Sequence, residues 1–103
     1  MSPMIRAATF AIGLLFCSVA HAEDKIGVIA PLSGPFARLG TQLVDGVTIA
    51  VNTRGSGQPD AIMTADDGCT AAGGAAAAKQ MVQSEVMIVI GFLCAESLEA
   101  ALP

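Results

Sequence analysis

Few side chains in this sequence could do chemistry. Asp66 and Asp67 are adjacent carboxylates, Cys69 and Cys94 are two thiols, Ser97 lies in a run of helix formers, and His21 is the one histidine of the chain. Paired carboxylates can hold a cation or divide acid and base roles between them. Successive residues at a strand end point to opposite sides, however, so Asp66-Asp67 reads as a pair that caps the following turn or helix. A serine or cysteine nucleophile needs a neighbouring base. The one histidine lies in a leader that is expected to be removed, so Ser97 reads as a cap or a ligand contact. The chain has neither a G-x-G-x-x-G turn nor a G-x-x-x-x-G-K-[ST] loop, so nothing points to a dinucleotide or P-loop phosphate site. No cofactor and no metal ion is expected, and the chain does not read as an enzyme.

The chain has 103 residues, room for one small domain. It carries 5 Lys+Arg against 9 Asp+Glu with no basic cluster, which argues against nucleic-acid binding. Met1–Arg6 has a single positive charge, Ala7–Ala20 is uncharged and apolar, and Ala20-His21-Ala22 puts small residues where a signal peptidase cuts. Residues 1–22 are therefore expected to be a cleaved signal peptide that directs export of the mature chain. Ala7–Ala20 is shorter than the ~20 residues that cross a bilayer, so no membrane span is expected in the mature chain. Lipidation of Cys17 is disfavoured by the bulk of Phe16 before it. Cleavage removes His21 and Cys17 and leaves Lys25, Arg38, Arg54 and Lys79 against all nine acidic residues. In an oxidising compartment the remaining pair, Cys69 and Cys94, is expected to form a disulfide; two unrelated buried thiols are the alternative.

The elements that must position these residues alternate in type. Lys25–Ala30 is an apolar run ending at Pro31, as a buried parallel strand does. Pro31-Leu-Ser-Gly-Pro-Phe36 forces a loop. From Ala37 the pattern is helical, with Leu43, Val47, Ala50 and Val51 on one face, until Gly55–Pro59 makes a polar turn. Ala61–Ala65 reads as a second strand, Thr70 as an N-cap, and Ala71–Ser84 as a helix. Val86–Ile90 reads as a third strand and Ala95–Leu102 as a third helix. This β-α-β-α-β-α order predicts an α/β fold, a three-layer half-lobe with a parallel sheet and right-handed crossovers. In such sheets ligands sit beyond the carboxyl ends of the strands. That edge would carry the loops Pro31–Gly40, Asp66–Thr70 and Gly91–Glu96, and with them both cysteines.

Three segments stand in order along this frame: Pro31-Leu-Ser-Gly-Pro-Phe-Ala-Arg-Leu-Gly40, Asp66-Asp67-Gly-Cys69 and Ile88-Val-Ile-Gly-Phe-Leu-Cys94. Together, behind a signal peptide, they resemble the periplasmic Leu/Ile/Val-binding proteins, the type I solute-binding receptors of branched-chain amino-acid ABC importers. The resemblance runs from about Lys25 to Leu102. It implies a bridged Cys69–Cys94 pair, a small amino acid or related solute as ligand, and an ABC permease as partner. It also implies a two-lobed receptor, of which residues 23–103 would be an incomplete N-terminal lobe; by itself the 103-residue chain is expected to bind nothing tightly. Leu39 falls where the family often has an aromatic residue against the ligand side chain. Ala95 falls where a serine commonly holds the ligand carboxylate, followed here by Glu96 and Ser97. The ligand-binding residues expected on this lobe are therefore Leu39, Ala95, Glu96 and Ser97. An inward Glu96 would favour a cationic group on the ligand. A second class of function on the same fold is a ligand-sensing domain of a signalling receptor. A third, an exported enzyme on a flavodoxin-like sheet, is opposed by the missing histidine and phosphate loop.

Overall fold

The computed structural model describes residues 24–54 and 62–103. The leader at 1–22, the turn Gly55–Pro59 and the start of the second strand at Ala61 lie outside the described residues. The elements follow the order β1 (Ile26–Ala30), α1 (Ala37–Thr53), β2 (Ile62–Asp66), α2 (Ala71–Gln83), β3 (Ile88–Gly91) and α3 (Ala95–Ala101). The strands pair in the order β2-β1-β3, both pairs parallel. Ile26 stands beside Ile62 on one side and Ile88 on the other.

The central place of β1 follows from its sequence. Val28, Ile29 and Ala30 are at most 1% exposed, as a strand covered on both faces requires. Its alternation divides the core. Ile29 packs with Ala65 and with Ala77 and Met81 of α2. A side chain at Gly27 would meet Met81, Val86 and Val89, so α2 lies on this face. On the other face α1 buries Val47, with Leu43 and Val51 half-buried, as their helical spacing anticipates. The helices thus flank the sheet, α1 on one face and α2 with α3 on the other.

Two boundaries carry information. The third strand begins at Ile88, two residues later than its apolar run predicts. Glu85 takes a left-handed turn (φ 55°), and the N–H of Val86 donates to the Met81 carbonyl at 3.1 Å, so Val86 still belongs to the exit from α2. Thr70 caps α2 as expected: its Oγ1 accepts the Gly73 N–H at 3.0 Å. Among the described residues no helix is long and apolar enough to cross a membrane.

Candidate functional site

Because all three strands run parallel, all three strand-to-helix loops emerge at one edge, the carboxyl end of the sheet. From β1 the chain turns to one face through α1; from β3 it turns to the other through α3. The loops after β1 and β3 therefore part from each other, and the crevice between them is where open α/β sheets receive ligands.

The loop after β1 is fixed from β2. The N–H of Leu32 and the N–H of Gly68 both donate to Asp66 Oδ1 at 2.8 Å. A hydrogen bond with the Ser33 side chain is the main reason the Asp66 carboxyl lies below its ordinary value; desolvation pulls the other way, and the N–H groups of Leu32, Gly68 and Ser33 add to the lowering. Asp66 is thus a staple between two loops. Beyond it α1 begins without a side-chain cap at Phe36. Gly40 is buried in its first turn, where any Cβ would run into the Pro31 carbonyl.

Asp67 points the other way, as alternation requires. It is 1% exposed. Its Oδ1 accepts the Cys69 N–H at 3.1 Å, and its Oδ2 accepts the Ser97 hydroxyl at 2.5 Å. Its own N–H donates to the Ala30 carbonyl at 3.2 Å, and its carbonyl accepts from the Thr70 N–H and hydroxyl. A buried carboxylate is tolerated when its oxygens are satisfied in this way. The two aspartates cap and brace separate loops, and no shared cation or acid–base site forms between them. Among the described residues no cluster of three His, Cys, Asp or Glu could hold a metal ion.

A disulfide joins Cys69 in the loop after β2 to Cys94, the N-cap of α3, with their Cα atoms 5.3 Å apart. It ties the loop after β2 to the loop after β3.

The residues expected to meet a ligand divide into two groups. Leu39 is 53% exposed in the first turn of α1, and Ala95 and Glu96 are exposed at the start of α3. These three stand in the first turns of the helices that follow β1 and β3. Ser97, expected as a side-chain contact, is fully buried and its hydroxyl is spent on Asp67. The structure also brings two apolar residues to this edge that sequence reasoning passed over, Phe36 at 48% and Leu93 at 47% exposed. Exposed apolar side chains after β1 and β3 were legible as loop residues, but nothing in their neighbours marks them as uncovered. Asp67 is likewise a hidden participant, since its partner Ser97 lies 30 residues away.

The periplasmic binding protein family matches residues 23–103, which includes every described residue. The chain belongs to the periplasmic binding protein family. Its curated relatives include the Leu/Ile/Val-binding protein BraC3 of Rhizobium johnstonii, 37% identical over 82% of this chain and 24% of the relative. A Leu/Ile/Val-binding protein homolog of Brucella melitensis is 36% identical over 87% of this chain and 26% of the relative. The Leu/Ile/Val-binding protein of Escherichia coli is 36% identical over the same shares. The chain spans about a quarter of the length of the curated relatives it matches.

Proposed function

We propose that this chain supplies part of an exported receptor that captures a branched-chain amino acid or a related small solute and delivers it to an ABC permease. The observation that carries the reading is the carboxyl edge itself. Two loops, each stapled to the loop after β2, flank the β1–β3 crevice and present Leu39, Ala95 and Glu96 beside it. Relatives named for leucine, isoleucine and valine binding support the ligand class. In this reading Leu39 covers the apolar part of the solute. The backbone N–H groups at Ala95 and Glu96 meet its carboxylate, with the Glu96 side chain turned outward. No side chain in the crevice is asked to do chemistry, so the protein binds and does not catalyse. A second lobe closes over the solute, and residues 1–22 direct export and are cut away after Ala22, leaving a mature protein in the periplasm.

Calorimetry on the two-lobed receptor with leucine, isoleucine and valine tests the proposal. Micromolar or tighter binding is expected, weakened by Leu39→Asp and by Ala95→Pro. No binding of any of the three would refute the ligand class, and unchanged affinity in both folded variants would move the site elsewhere. N-terminal sequencing of the exported protein should begin at Glu23; a product that retains Ala7–Ala20 would refute cleavage.

A further inference from the structure

We propose that Asp67 and Ser97 are positioning residues of the binding edge: their buried hydrogen bond sets where Ala95 and Glu96 stand beside the β1–β3 crevice. The inference rests on the proposed function and adds to it two side chains that touch no solute.

Helix α3 has seven residues and no side-chain hydrogen bond at its Cys94 cap. A helix this short does not hold itself together in water, so its placement comes from tertiary contacts. The disulfide fixes α3 at one point, Cys94. Packing against α2 limits its movement, and the freedom that remains is a pivot about that point. The hydrogen bond from Ser97 to Asp67 Oδ2 supplies a second point one turn further on. The backbone of Ser97 also lies against Gly74 of α2, where any Cβ would strike the Ser97 carbonyl. Two fixed points define the axis of the helix, and Ala95 and Glu96 lie between them.

Asp67 is itself referenced to β1, because its N–H is bonded to the Ala30 carbonyl at the end of that strand. The loop on the other side of the crevice starts at the next residue, Pro31. The chain of contacts Ala30–Asp67–Ser97 therefore measures the separation between the loop after β1 and the start of α3. An apolar pair between the loop after β2 and α3 would hold no direction. A satisfied hydrogen bond does, and leaving one partner unpaired in this position is costly.

The test uses Ser97→Ala and Asp67→Asn. In Asp67→Asn the amide oxygen can still accept the Cys69 N–H while its NH2 donates to the Ser97 hydroxyl, so the link is weakened and kept. Leucine affinity of the receptor, measured well below the melting temperature, is expected to fall about tenfold in Ser97→Ala. The Asp67→Asn variant should lie between that value and the parent. A lower melting temperature with unchanged leucine affinity in both variants would make the pair a packing feature and overturn the proposal. A second readout needs no ligand. In Asp67→Asn of the ligand-free receptor, the amide chemical shifts of Ala95 and Glu96 should move although they are far from the substitution in sequence; unmoved shifts would overturn the positioning role. A parent receptor that binds no leucine would defeat the proposed function, and the chemical shifts would then decide the brace alone.

Discussion

The two neighbours of β1 both run parallel to it, yet the molecule treats them differently. On the β2 side, Ala65 is buried, Asp66 and Asp67 are bonded into adjoining loops, and α2 closes over Ile29 and Ala65 with Ala77 and Met81. On the β3 side, Ile88, Val89 and Ile90 remain 52%, 39% and 37% exposed. An apolar groove of about 400 Å³ runs between Ile90 and α1, and another of about 200 Å³ lies between Val89 and the α2–α3 pair. Neither groove is at the carboxyl edge, and neither is needed for the site. The difference teaches that the two ends of the packing are held in different ways. The carboxyl edge is held by covalent and polar links, while the apolar surface left open lies along the flank of β3.

If the carboxyl edge depends on its links, cutting the strongest should have the largest effect. Replacing Cys94 with Ser opens a loop with a sequence separation of 25 residues. Chain entropy puts the loss at about 3.5 kcal/mol. Denaturant melts of the oxidised parent and the variant measure it, and a loss under about 1 kcal/mol would show that the link is dispensable.

The same truncation at two isoleucines sharpens the contrast. Ile29→Ala removes a side chain that is 1% exposed and should cost about 3 kcal/mol. Ile88→Ala, in the neighbouring strand, removes one that is 52% exposed and should cost well under half of that, because much of its surface already meets water. Equal losses at the two positions would mean that β3 is covered in solution.

A smaller effect is expected at Asp66. Its carboxyl is held below its ordinary value, chiefly by the Ser33 side chain, so it binds a proton less readily when folded than when unfolded. Its contribution is therefore present above the unfolded value of 3.8 and is lost as the pH falls through the lower folded value. Asp66→Asn should cost about 1 kcal/mol near neutral pH and flatten that acid limb. Melting temperatures followed downward from pH 6 test both points. An acid limb as steep as the parent's would place the titration elsewhere.

Most of the fold was legible because local signals agreed with it. Pro31 ends β1, Thr70 caps α2, and the spacing of Leu43, Val47 and Val51 sets the inner face of α1. The start of β3 was not, since Val86 and Met87 are as apolar as the strand and only the left-handed turn at Glu85 separates them from it. The exposure of Ile88 to Ile90 was also hidden: an apolar run looks the same whether or not something covers it. At the edge, the disulfide was legible from cysteine count, export and resemblance. The commitment of Ser97 to Asp67 was not, because it depends on how closely α3 crosses α2 at Gly74, a contact between residues far apart in sequence.

The claim that the carboxyl edge is the binding surface is tested most directly by titrating leucine into the isotopically labelled receptor and following its amide resonances residue by residue. Shifts should concentrate in 32–39 and 92–96, with Lys25 and Ser84–Met87 at the opposite edge unmoved. Shifts confined to that opposite edge, or to the groove between α1 and Ile90, would contradict it.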